Sequence, residues 1–124
     1  MIKTYKDLVF WKRSKEVGLL TVTLIRKFPN EKVSWIISEQ LLKAAFSVGA
    51  NIAEGFGKYK GKEYSRFLKI SAGSANETEY WLELIADIYP RFTQEIEKIL
   101  LKNKEVIRML SASPRTLNVN KSKC

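Results

Sequence analysis

Apolar residues recur along this chain every three or four positions, the spacing of one face of an α-helix, and alternation of period two is absent over any useful length. In the first segment the stripe runs Phe10, Val17, Leu24, Phe28; in the second, Ile37, Leu41, Ala44, Val48, Ile52. Phe67, Ser71, Ser74, Thr78, Trp81 and Ile85 mark a third, and Phe92, Ile96, Ile99 and Ile107 a fourth. Breakers fall between them. Pro29 is followed by Asn30, which offers an N-cap; Gly55, Gly57 and Gly61 separate the second segment from the third; Pro90 stops the third, and Pro114 lies beyond the fourth. The pattern predicts helices near 5–28, 31–54, 62–89 and 91–111. Short connections between long amphipathic helices favour antiparallel neighbours. The expected fold is therefore all-α, an up-down-up-down antiparallel four-helix bundle over residues 1–111. Residues 112–124 combine turn formers with positive charge and few apolar positions, which predicts a flexible basic tail.

Two departures from a simple amphipathic pattern refine the packing. Ala45, Gly49 and Ala53 stand four apart on helix 2, and Ala72, Gly73, Ser74 and Ala75 sit together on helix 3. A helical glycine costs about 0.8–1 kcal/mol relative to alanine, so Gly49 and Gly73 point to crowding at both positions. Ordinary interhelical contact within one chain accounts for this. Helix 1 carries a second apolar stripe, Leu8, Trp11, Leu19 and Val22, roughly 120–150° from the first at 100° per residue. Either helix 1 is more enclosed than a bundle helix need be, or the stripe is a subunit interface.

Composition narrows the chemistry. The 124 residues contain no histidine and one cysteine, Cys124. A Ser-His-Asp or Cys-His triad, a Glu-x-x-His di-metal site and a zinc finger are all excluded, and no enzyme, cofactor or metal is expected. Glu79, Glu83 and Asp87 stand four apart on one straight helical edge, an arrangement that rarely converges on a cation. With no apolar leader and no span of about 18 apolar residues, a cytoplasmic protein without a membrane partner is expected.

The charge is uneven. Residues 1–70 carry 14 basic and 6 acidic side chains, within a chain whose net charge is +9. An up-down bundle brings the start of helix 1, the end of helix 2, the start of helix 3 and the end of helix 4 to one pole. There Lys12, Arg13, Lys58, Lys60, Lys62, Arg66 and Lys69 gather with Lys3, Lys6, Lys102, Lys104 and Arg108. Lys62, Arg66 and Lys69 crowd the N-terminal part of helix 3 while Glu83 and Asp87 sit at its C-terminal end. Both placements oppose the helix dipole, at about 0.3–1 kcal/mol for each charge close to a terminus. A basic pole suits a polyanion, and Tyr59 and Tyr64, interleaved with the cations, are candidates for stacking on unpaired bases.

At helix 2 the chain resembles a known family. Gln40-Leu41-Leu42-Lys43-Ala44-Ala45-Phe46-Ser47-Val48-Gly49-Ala50-Asn51-Ile52-Ala53-Glu54-Gly55 is similar to the signature of the four-helix-bundle proteins of 23S rRNA intervening sequences. Relatives include the accessory variability protein of diversity-generating retroelements. Asp7-Leu8-Val9-Phe10-Trp11-Lys12, Phe28-Pro29 and Phe67-Leu68-Lys69-Ile70-Ser71-Ala72-Gly73-Ser74 extend the resemblance over roughly residues 7–89. Where the family often has two adjacent basic residues this chain has Lys43-Ala44, leaving Lys43 as the RNA contact implied there, and Trp35-Ile36 replaces a Tyr-Gly pair. The resemblance implies a ring-like homopentamer without enzymatic activity. In the retroelement branch it also implies binding to nucleic acid and to a reverse transcriptase.

The motif also has a physical reading of its own. Gly55 suits the left-handed position that ends a helix. Asn51 and Glu54 share a face with Ser47 and can bond across to helix 3 or to a neighbouring subunit. The expected function is thus an oligomeric nucleic-acid-binding accessory protein, with RNA favoured. The alternative is an oligomeric scaffold that recruits a protein partner such as a reverse transcriptase and touches nucleic acid incidentally.

Overall fold

In the computed structural model, which describes residues 1–58 and 61–123 (side chains as far as Ala112), four helices follow one another. They are α1 (Val9–Ile25), α2 (Lys32–Phe56), α3 (Gly61–Ile88) and α4 (Thr93–Lys123). Short 3-10 helices at Tyr5–Asp7 and Pro90–Phe92 precede α1 and α4, and no strand occurs among the described residues. The helices touch in cyclic order, α1 with α2, α2 with α3, α3 with α4 and α4 with α1. That is the four-helix arrangement the periodicity predicts. The expected tail lies outside the residues whose side chains are described, except for Ala112.

The core is the set of inward stripes. Leu24, Leu41, Ile52, Leu68, Leu82, Ile85, Ile96, Ile99 and Leu110 are fully buried. Each such side chain contributes about 1.5–3 kcal/mol on leaving water. Small polar residues interrupt this core; the Thr21 hydroxyl is buried without a hydrogen-bond partner among the described residues, while others are bonded locally or across the core. The Ser71 hydroxyl donates to the Val48 carbonyl at 3.0 Å, and Asn103 donates to the Ala75 carbonyl at 2.9 Å. The pole opposite the basic one is closed by aromatic rings, Phe28 lying 5.4 Å from Tyr89 and 5.3 Å from Phe92 between centroids.

Several local expectations are corrected. Helix α2 starts from Glu31 rather than Asn30; the Asn30 side chain instead accepts the Trp35 indole N–H at 2.9 Å. Gly55 is not a left-handed cap, because α2 continues through Phe56 and the positive φ falls at Gly61 (59°). Gly55 is there for room: a Cβ at this position would lie 2.6 Å from Cβ of Phe67 on α3. Gly49 is crowded as expected, its hypothetical Cβ 3.1 Å from the Ser14 hydroxyl, whereas a Cβ at Gly73 would meet nothing within 4 Å. Leu8, offered as an interface residue, is 7% exposed and belongs to the core.

Opposite signs are therefore expected for two glycine-to-alanine changes. Gly55→Ala gains helix propensity but forces α2 and α3 apart, a net loss of about 1–3 kcal/mol. In the isolated chain Gly73→Ala gains about 0.8–1 kcal/mol, because nothing opposes the propensity term. Urea unfolding of the two variants at equal concentration measures both.

Candidate nucleic-acid interface

The basic pole is built around the corner between α2 and α3. Phe67 packs its Cβ over Gly55 and is almost wholly buried, yet two cations lie over its ring: Arg66 at 4.7 Å and Lys58 at 5.1 Å from the centroid. Each also pairs with a carboxylate near it in sequence, Arg66 with Glu63 and Lys58 with Glu54, both at 3.4 Å. Aromatic face and carboxylate together hold the two long side chains against the corner. Tyr64 lies beside Gly55, half-buried against the core, and burial pushes its hydroxyl pKa up. One side of its ring thus serves packing. Tyr59 and Lys60 lie outside the described residues.

On the α1–α4 side the charges are arranged differently. Arg13 donates to Glu16 at 2.9 Å and reaches Glu105 at 3.5 Å, while Lys102 donates to Glu16 at 3.0 Å. Two cations and two carboxylates thus neutralise one another across the α1–α4 seam. Arg13 and Lys102 are engaged within the chain. By contrast Lys3, Lys6, Lys12, Lys62, Lys69, Lys104 and Arg108 are exposed and make no ion pair among the described residues. Lys43 is elsewhere: it sits midway along α2 and pairs with Glu39 at 3.6 Å.

The Asn51–Glu54–Gly55 motif divides into separate tasks. Asn51 donates to the Ser47 carbonyl and hydroxyl at 2.8 and 2.9 Å, and the Ser47 hydroxyl meets that of Ser74 on α3 at 2.9 Å. Glu54 faces solvent with Lys58, and Gly55 admits Phe67.

Trp11, Leu19 and Val22 line one wall of a groove of about 410 Å³ between α1 and α2. Phe46 and Ala50 stand on its other wall, and Lys15, 5.7 Å from the Trp11 ring centroid, also lines it. The α1 wall was legible in the sequence, and on the α2 wall Ala45, Gly49 and Ala53 were legible as a small-residue stripe but not as part of a groove; Phe46, which stands off the inward face of helix 2, was missed. No group of three or more metal-ligating side chains occurs among the described residues, and no helix there is long and apolar enough to cross a membrane.

An antiparallel four-helix bundle with a cationic pole defines the class of protein, and comparison with known proteins makes it specific. The chain belongs to the 23S rRNA-intervening sequence protein family, which matches residues 6–112. It is similar to a crystal structure from Bacteroides thetaiotaomicron described as a protein with unknown function from the S23 ribosomal protein family. The two share 30% sequence identity over 86% of this chain and 98% of that one, with a TM-score of 0.78. Among curated proteins nothing matches. Neither description is of an enzyme family.

The seam charges carry a pH signature. The hydrogen bond from Lys102 holds the Glu16 carboxyl below its ordinary value, and backbone N–H groups of Thr4 and Lys3 do the same for Asp7. A carboxylate with a lowered folded-state pKa contributes stability above its unfolded pKa, and that stability is lost as pH falls through the folded value. Stability should therefore fall with acid from about pH 5 downward. Glu16→Gln should flatten that acid limb while leaving the unfolding midpoint at pH 8 little changed, as exposed pairs contribute only about 0–1 kcal/mol. Chemical denaturation from pH 3 to 8 checks this.

Proposed function

We propose that this protein is a non-enzymatic, oligomeric nucleic-acid-binding accessory protein that grips RNA backbone through the basic pole of its bundle. The observation that carries the reading is the set of exposed cations at that pole that make no ion pair among the described residues: Lys12, Lys62, Lys69, Lys104 and Arg108, with Lys3 and Lys6 beside them. Apart from Lys12, whose charge favours the nearby Asp7 carboxylate, these cations make no charge interaction among the described residues, and Lys62 sits in the first turn of α3, where the dipole opposes it. Phosphates would supply a partner and offset the dipole. The family's association with rRNA genes favours RNA over DNA. In a closed ring, pentameric by the family resemblance, copies of the pole on one rim would form a continuous positive surface.

Lysines dominate the unpaired set and act as point charges rather than planar forks, so affinity comes mainly from counterion release. Binding of single-stranded RNA should weaken steeply with salt, by about 0.7 in log–log slope for each phosphate neutralised, and discriminate poorly between sequences. Reversing Lys62, Lys69 and Lys104 to Glu should remove binding and most of the salt slope while leaving helicity intact. The same reversal at Arg26, Lys32 and Lys98, exposed cations outside the pole, should matter far less. Fluorescence anisotropy at several salt concentrations decides the matter. Equal losses in both triple variants would mean that net charge alone does the binding. Binding by neither variant nor wild type would favour a scaffold whose partner is protein.

A further inference from the structure

The carboxylates of the basic pole are as telling as its cations. Where α1 packs on α4, Lys102 reaches Glu16 at 3.0 Å, and Arg13 reaches Glu16 at 2.9 Å and Glu105 at 3.5 Å. Arg13 thus divides its guanidinium, giving Nη1 to one carboxylate and Nε to the other. Neither contact is the two-pronged pairing that a guanidinium makes with a single carboxylate or phosphate, and the longer one is at the limit of a hydrogen bond. All four side chains are 36% to 42% exposed. A ligand at this pole meets them directly, and as exposed ion pairs they add little to stability.

The register of the seam sets this cluster beside free cations. Arg13 opposite Glu105 and Glu16 opposite Lys102 bring Arg108, one turn beyond Glu105, level with the first turn of α1, where Lys12 stands. Lys12, Lys104 and Arg108 are exposed and make no ion pair among the described residues. A phosphate backbone held by Lys12 and Arg108 lies next to Arg13 and finds it occupied. The pairs on the other side of the pole differ. Glu54 and Glu63 each take one cation from their own stretch of chain, and the Phe67 ring holds that cation as well. At the α1–α4 seam the carboxylates themselves decide where the two cations point.

We propose that Glu16 and Glu105 act as an internal competitor for RNA phosphate: they withhold Arg13 and Lys102 from the basic pole and so set how many phosphates one copy engages. The inference rests on the nucleic-acid reading of that pole and adds its regulation. A carboxylate offers a guanidinium the same planar pair of oxygens as a phosphate, so each serves in place of the other. A competitor within the chain acts at high effective concentration and needs no second molecule. It also keeps its charge, since the hydrogen bond from Lys102 holds the Glu16 carboxyl below its ordinary value. The grip on RNA is thereby kept weak and reversible, and whatever neutralises the two carboxylates tightens it.

Fluorescence anisotropy of a labelled oligouridylate, titrated with the full chain at several salt concentrations, tests this. Glu16→Gln combined with Glu105→Gln frees both cations and keeps the shape of both side chains. The log–log salt slope should steepen by about 1.4, at about 0.7 for each added phosphate on a single strand, and affinity at low salt should rise several-fold. Either substitution alone should give part of that gain. Glu83 and Glu97 are exposed carboxylates toward the opposite pole that make no ion pair among the described residues. Glu83→Gln with Glu97→Gln changes the net charge equally and should leave the slope as it was. Adding Arg13→Gln and Lys102→Gln to the first pair should return slope and affinity to wild-type values, with full helicity by circular dichroism throughout. Matching gains from the two carboxylate pairs would overturn the proposal in favour of net charge. A gain that survives the loss of Arg13 and Lys102 would overturn it in favour of simple repulsion by the carboxylates. Wild-type binding with no gain in the first pair would overturn the withheld cations and leave the nucleic-acid reading standing. RNA bound by neither wild type nor that variant would overturn both.

Discussion

The approach of α2 to α3 at Gly55 and Phe67 is the constraint on which the rest of the molecule depends. Gly55 lets the Phe67 side chain pack directly on the α2 backbone, and the chain then reverses through Gly61, whose positive φ begins the next helix. Farther along the same seam the contacts are short hydroxyls, Ser47 to Ser74 and Ser71 to the Val48 carbonyl. Such side chains satisfy their hydrogen bonds without holding the helices apart. The pair α2–α3 thus forms a close-packed unit against which α1 and α4 lay their apolar stripes. The ring of Phe67 in turn becomes the floor for Arg66 and Lys58, so the tight corner also organises the charged surface above it.

Much of this was legible in the apolar spacing. Val17, Leu24, Leu41, Ile52, Ile85 and Ile99 lie where a 3.6-residue period puts them, and proline and glycine mark the breaks between helices. Glycine roles were harder. Near a helix end the residue type serves equally for a left-handed cap and for a close approach. Only the position of Phe67, 12 residues away on another helix, decides that Gly55 is the second. Asn30 is a similar case, because its side chain has a nearer use in holding Trp35. Leu8 reads as part of an outer stripe on an ideal helix, but α1 begins after it, and its extended backbone turns the side chain inward.

Charge was legible as a total and not as a distribution of free groups. The Arg13–Glu16 pair follows from a three-residue spacing, but Lys102 and Glu105 join it only because α4 packs beside α1. Counting cations at the pole therefore overstated what Arg13 and Lys102 have to offer a ligand and left Lys12, Lys62 and Lys69 as the better-founded members of the site. The groove behind Trp11, Leu19 and Val22 was half visible for the same reason. Its second wall depends on which face of α2 stands next to α1.

The two seams flanking α1 and α3 consequently differ in kind. Where α2 meets α3 the cross-links are hydroxyls indifferent to ionic strength; where α1 meets α4 they include a four-charge cluster with more than a third of each side chain open to solvent. Added salt screens the second and not the first. The helices joined there are the first and last of the chain, so ions that compete for the basic pole also loosen the latch between its two ends. A salt titration of this protein is therefore read at two places at once: on its surface as loss of RNA from the proposed site, and in its backbone as faster amide exchange along α1 and α4 than along α2 and α3.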